Sequence, residues 1–179
     1  MCMVIDANTI PCVFSKDNQT HSDFQPLLRW LLYGKAKMSL GGKLFTKEIM
    51  EKQSSYVPFL MELKKVNKIH FINNEQIVAK EDEIKKIETS SDFDDSHIIA
   101  LLIISRAKIL CSNDARLFKF VKKIRKYDSS AEAPRIYTTI KHEPHKELLC
   151  DDNICSYGEH KCLSKSLADL IWNAIEKNN

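Results

Sequence analysis

Four acidic residues border apolar segments in a way that can gather their charge at one place. Asp6 directly follows Met3-Val4-Ile5, and Asp114 closes the run Ile109-Leu110-Cys111-Ser112-Asn113. Asp95 stands just ahead of the apolar stretch from His97 to Ser105, and Glu48 lies six residues after the pair Gly41-Gly42. Carboxylates brought together repel and raise one another's pKa unless a cation lies between them. Hard oxygen donors of this kind suit Mg²⁺ or Mn²⁺. A divalent ion so held polarises a phosphodiester, activates a water and stabilises the leaving oxygen. Each acid taken singly reads as a turn or helix cap. The set of four is what points to chemistry.

Bringing the four together requires a particular order of elements. Residues 3–5 have the short, wholly apolar form of a buried parallel strand. Ser22 and Gln25 stand at capping-box spacing with Pro26 in the first turn, which predicts a helix over 24–33 carrying Leu27, Leu28, Leu31 and Leu32. The glycine pair breaks the chain before a strand expected at 43–45, followed by a helix over 46–65. Further strands are expected at 68–72, 108–112 and 135–139. Between them lie a charged helical turn within 80–91, a buried helix over 97–105 capped by Ser91 or Asp92, and a helix over 115–127. Strands alternating with helices predict an α/β fold, a three-layer α/β/α sandwich around a mainly parallel sheet. Ligands of such sheets bind beyond the carboxyl ends of the strands, where Asp6 and Asp114 fall.

On these residues the chain resembles the PIN-domain nuclease family. Val4-Ile5-Asp6-Ala7-Asn8 is similar to the family's opening strand, Asp95-Ser96-His97-Ile98-Ile99-Ala100-Leu101 to its third acidic motif, and Ile109 through Leu117 to its fourth. Gly41-Gly42-Lys43-Leu44-Phe45-Thr46-Lys47-Glu48 resembles a subgroup with paired glycines before its metal-associated Glu. That register selects Glu48, where alignment on the helix alone selects Glu51, one turn later; the glycine register is preferred. The resemblance implies a metal-dependent endonuclease acting on RNA, with Asp6, Glu48, Asp95 and Asp114 as catalytic metal ligands for Mg²⁺ or Mn²⁺. Asn8 and Ser112 would support them. Many members carry another acid shortly after the fourth motif, whereas Arg116, Lys119, Lys122 and Lys123 occupy that stretch here. Asp92 or Asp94 would compensate. The resemblance covers residues 3 to about 140, a nuclease domain over 1–140, leaving 141–179 as a His/Cys-containing extension that ends in a helix over 164–177.

Arg116, Lys119, Lys123 and Lys126 share one face of the helix after Asp114, opposite Leu117, Phe120, Val121 and Ile124. Beside an acidic metal site, such a stripe is expected to follow nucleic-acid phosphates without reading sequence. His97 is expected to pack at a helix start or bond a neighbouring carboxylate. Trp30 and Trp172 belong to the core by their apolar helix faces. His142, His145, Cys150, Cys155, His160 and Cys162 lack the paired spacing of a structural Zn²⁺ site, so reduced thiols in a loop are the preferred reading. Cys2, Cys12 and Cys111 lie in apolar stretches as ordinary buried thiols.

The composition of the 179 residues suits a soluble domain, with 44% hydrophobic and 28% charged residues. A net charge of +3 identifies no partner by itself. No apolar run reaches the roughly 20 residues of a membrane span. The opening residues lack a signal-peptide layout, which predicts a cytoplasmic protein. A flavodoxin-like small-molecule domain is disfavoured, because no Gly-rich phosphate loop follows the first strand. The main rival is a nucleic-acid-binding protein that no longer cuts. The pathway stays open between a toxin with an antitoxin partner, RNA processing and host defence, as does association into a homo-oligomer.

Overall fold

The computed structural model describes residues 2–140, 146–153 and 161–177. Strand β1 (Cys2–Ile5) buries Met3, Val4 and Ile5 completely, as a strand covered on both faces must. It pairs in parallel with β2 (Lys37–Leu40) on one side and β4 (Ile109–Cys111) on the other. Strand β3 (Ile69–Phe71) extends the sheet beyond β2, and β5 (Arg135–Tyr137) extends it beyond β4. The order is therefore β3-β2-β1-β4-β5, all parallel. The chain first winds one way from β1 and then restarts on β1's other edge at β4. That reversal makes the carboxyl ends of β1 and β4 the crevice where ligands of such sheets bind.

Helices cover the sheet. Helix α1 (Ile10–Phe14) carries Pro11 in its first turn, where a missing N–H is tolerated, and packs on α2 (His21–Tyr33). In α2, Phe24, Leu27, Leu28, Leu31 and Leu32 form the buried stripe. The helix starts earlier than its apolar stripe suggests. Asn18 accepts from the backbone and hydroxyl of Thr20, and buried His21 bonds the carbonyl of Cys12, so Pro26 lies inside the helix rather than in its first turn.

The segment after the glycines departs most from expectation. No strand forms at 43–45: β2 precedes the glycines, and Gly41 and Gly42 take φ values of 154° and 57° that turn the chain away from the sheet. A Cβ at Gly42 would lie 2.8 Å from the Ile77 side chain. The expected helix over 46–65 is divided into a π-helical stretch Leu44–Ile49, a short α3 (Met50–Lys52), a 3₁₀ turn Ser54–Tyr56 and α4 (Val57–Lys65). Pro58, in the first turn of α4, has no N–H to continue a helix from before it.

Helix α5 (Asn74–Ile87) is longer than the charged turn expected near 80–91, and Asn73 caps it by accepting from Glu75 and Gln76. Its buried stripe is Ile77, Glu81 and Ile84, with a carboxylate at the middle position. Helix α6 (Ser96–Ser105) is buried along nearly its whole length, packs on α5 and lies against β1 and β2. The helix expected over 115–127 is two pieces, α7 (Ala115–Val121) and α8 (Ile124–Tyr127). The last helix, α9 (Lys165–Lys177), packs on α2, where Tyr33 Oη donates to Asp169 at 2.6 Å and the Tyr33 and Trp172 rings meet. With helices on both faces of the sheet, the architecture is the α/β/α sandwich. Among the described residues, no helix is long and apolar enough to cross a membrane. His142, His145, Cys155 and His160 lie outside the described residues, while Cys150 is half-buried and Cys162 exposed, both as free thiols.

Candidate metal centre

Asp6 is the first residue after β1, and its N–H continues the ladder to the carbonyl of Cys111 at 2.9 Å. Thr9 Oγ1 donates to the carbonyls of both Asp6 and Cys111, which staples the ends of β1 and β4 together. Ser112, the first residue after β4, donates its hydroxyl to Asp6 Oδ2 at 2.7 Å. Asp6 holds the N-cap position of the 3₁₀ turn Ala7–Thr9 without a side-chain capping bond. Burial pushes the Asp6 carboxyl above its ordinary pKa and the charge of Glu48 adds to the push, while the Ser112 hydrogen bond opposes it.

Asp95 also holds an N-cap position, that of α6, and also makes no capping bond. Helix α6 runs back across the sheet to feed β4, so its first turn lies at the same carboxyl edge as Asp6. Its carboxyl is raised to about 6, first by burial, then by the negative charges of Asp94, Asp6 and Asp114, with His97 acting against them. Asp95 thus feels the charges of both Asp6 and Asp114. Glu48 arrives from β2 on the π-helical stretch, a helix form that recurs at functional sites. Glu51, one turn on, is exposed and tied to Lys47 at 2.8 Å. The structure thus turns Glu48, not Glu51, toward Asp95.

Donor atoms of Glu48, Asp95 and His97 all lie within 4.8 Å of one another. His97 Nε2 is 3.0 Å from Glu48 Oε1, with the His97 side chain only 7% exposed. That contact is out of line for a hydrogen bond, and Nε2 has no hydrogen-bond partner among the described residues. A buried ring nitrogen that makes no hydrogen bond is uncommon and calls for an explanation. A divalent cation supplies one: two carboxylates and an imidazole form a donor set suited to Mn²⁺ and tolerated by Mg²⁺. The sequence predicts that His97 packs at a helix start or bonds a neighbouring carboxylate, and it does stand at the start of α6 beside Glu48, but that reading does not count it among the metal ligands. The signal lay in its spacing, since a residue two after an unused N-cap carboxylate shares the helix mouth with it.

Asp114 stands outside that tight group. It caps α7 by accepting from the Arg116 N–H, and the Arg116 guanidinium grips both its oxygens, Nε to Oδ1 at 3.2 Å and Nη2 to Oδ2 at 2.8 Å. Arg116 holds the Asp114 carboxyl below its ordinary pKa. The supporting acids are likewise engaged with the basic face: Asp94 lies 3.6 Å from Arg116, and Asp92 is paired with Lys119 at 2.8 Å. Lys126 pairs with Glu88 at 3.0 Å. Among the described residues, Lys123 has no carboxylate partner. Asn8 is exposed in the turn beyond Asp6.

The two segments that carry Glu48 and the Asp95–His97 pair are joined through α5. Buried Glu81 accepts from Lys43 at 2.7 Å, from Lys85 at 2.6 Å and from the Ser96 hydroxyl at 3.0 Å. Burial alone would raise its carboxyl, but these three donors hold it down at about 2. Comparison with known proteins adds nothing to this geometry: no family model, no curated protein and no solved structure matches the chain.

Proposed function

We propose that this chain is a metal-dependent nuclease that hydrolyses phosphodiester bonds of nucleic acid, RNA in the first instance. The observation that carries the reading is the convergence of donor atoms of Glu48, Asp95 and His97, whose buried Nε2 lies 3.0 Å from Glu48 Oε1 with no hydrogen bond formed. It is supported by position, since the group lies at the carboxyl edge of the sheet beside the crevice between β1 and β4. Glu48, Asp95 and His97 would hold Mn²⁺ or Mg²⁺, which when bound supplies positive charge to the phosphate and makes water more acidic. Asp6 has Oδ2 fixed by Ser112, and its other oxygen would align a water for attack on phosphorus. Attack forms a new P–O bond and breaks the bond to the leaving oxygen. The water's proton passes to Asp6, and the leaving oxygen is protonated from solvent.

One observation favours the rival reading of a binder that does not cut: Arg116 already neutralises Asp114. The two readings separate in a cleavage assay on single-stranded RNA and DNA with Mn²⁺, Mg²⁺ or chelator. The nuclease reading expects cleavage that needs the ion and is abolished in Glu48→Gln and Asp95→Asn. Ion-independent binding with no cleavage under any condition would establish the rival.

A further inference from the structure

We propose that Arg116 is the second positive centre of this site, so that one metal ion and one guanidinium, in place of two metal ions, face the backbone phosphate of the substrate. The inference rests on the nuclease reading and fixes how that site is charged. Two-ion phosphodiesterases place cations about 4 Å apart to neutralise both the attacking and the leaving oxygen. Here the acids divide into two sets. Glu48 and Asp95 converge with His97, whose buried Nε2 faces Glu48 at 3.0 Å without a hydrogen bond, and this set offers three donors to one ion. Asp114 and Asp94 instead face a cation that the chain carries itself.

The geometry of Arg116 suits that part. Its Nε and Nη2 form a two-point grip on Asp114, which fixes the plane of the guanidinium. Nη1 is 3.6 Å from Asp94 Oδ2, too long for a hydrogen bond, so its protons remain available to a phosphate oxygen. The side chain is 65% exposed while Asp114 is 17% exposed, so the carboxylate forms the base and the guanidinium faces outward. Arginine stays charged at all physiological pH and matches phosphate geometry, which a hydrated ion would otherwise have to do. With both its oxygens occupied, Asp114 positions Arg116 and does not hold the ion.

Manganese counting on the full chain tests this, using the electron paramagnetic resonance signal of free Mn²⁺, together with binding of a fluorescent single-stranded RNA in Ca²⁺. Wild type is expected to bind one Mn²⁺ per chain. Arg116→Gln should keep that single ion and lose about tenfold in RNA affinity, the size of one charge-assisted contact. Arg116→Asp, which returns an acid to this position, should bind two. Both variants should remain folded, since the side chain is exposed; Arg116→Asp should unfold at a somewhat lower temperature because its new carboxylate faces Asp114 and Asp94, and circular dichroism checks both. Two Mn²⁺ on wild type, one on Arg116→Asp, or unchanged RNA affinity in Arg116→Gln would overturn this inference and leave the nuclease reading standing. No Mn²⁺ on wild type would overturn both.

Discussion

His97 Nε2 and Glu48 Oε1 lie 3.0 Å apart without forming a hydrogen bond. A ring nitrogen and a carboxylate oxygen at that distance are held together either by a proton on the ring or by a metal ion that both bind. Replacing His97 by Phe keeps a flat ring in the pocket and removes the nitrogen. Losing an outer-shell partner already weakens metal binding roughly 10- to 100-fold, and losing a ligand should do at least as much. Titration calorimetry should therefore show Mn²⁺ affinity down by at least about tenfold in His97→Phe, with Mg²⁺ less affected because it depends less on imidazole. Equal affinity for both ions in variant and wild type would remove His97 from the site.

The acids should make the metal-free protein sensitive to pH in an unusual direction. The Asp95 carboxyl is raised to about 6, and the Asp6 carboxyl is raised as well. Between the ordinary carboxylate value near 4 and about 6, the folded chain therefore binds more protons than the unfolded chain. Unfolding free energy then falls as pH rises through that window, and the loss persists at neutral pH. Asp95→Asn should remove its share of that slope and stabilise the metal-free protein at pH 7, by something on the order of 2 kcal/mol after allowance for partial exposure. Urea denaturation with chelator from pH 4.5 to 7.5 measures both. A wild-type curve parallel to that of Asp95→Asn would refute the crowding of these charges.

Glu81 works in the opposite sense. Its carboxyl is held at about 2, below the ordinary 4.5, so it contributes stability above pH 4.5 that is lost as pH falls toward 2. Glu81→Leu leaves the Ser96 hydroxyl unmatched, while Lys43 and Lys85, half-exposed, can turn to water. Destabilisation of about 2–3 kcal/mol is expected at pH 7, shrinking in acid. Because Glu81 links the segments that carry Glu48 and Asp95, Mn²⁺ affinity should fall in the same variant. Glu81→Gln, which can still accept from Ser96, should recover part of that affinity.

The basic face should not act as a uniform stripe. Lys119 and Lys126 must leave Asp92 and Glu88 to meet a phosphate, whereas Lys123 has no carboxylate partner among the described residues. Lys123→Gln should reduce the slope of log affinity against log salt for single-stranded RNA by about 0.7. Lys119→Gln and Lys126→Gln should each reduce it by less. Equal slopes in all three variants and wild type would make this face ordinary solvated surface.

The apolar runs 3–5 and 109–111 announce their strands because both are buried on two sides, and the acids that follow them are legible for the same reason. Strand β2 is not, because Lys37 and Ser39 interrupt it; both are buried, and the Lys37 ammonium is satisfied by Asn67 Oδ1 at 2.9 Å. Helix α5 is under-read because Glu81 fills a core position that pattern reasoning reserves for an apolar side chain. Glu48 and Glu51 lie one turn apart on any regular helix; the glycine register favours Glu48, and the local winding and the Lys47 pair separate the two. The grouping of His97 with Glu48 depends on segments about 50 residues apart in sequence, which no local spacing encodes.

The central position of β1 has a consequence for how the chain acquires its structure. Its second neighbour, β4, begins more than a hundred residues later in the chain. During synthesis Val4 and Ile5 thus remain open along one edge until the ribosome has released most of the chain, and closing so long a loop is slow. The bond from Ser112 to Asp6 spans 106 residues and forms in that same closing step. A chain that lacks the β1–β4 pairing therefore has neither a continuous sheet nor the bond that joins Ser112 to Asp6.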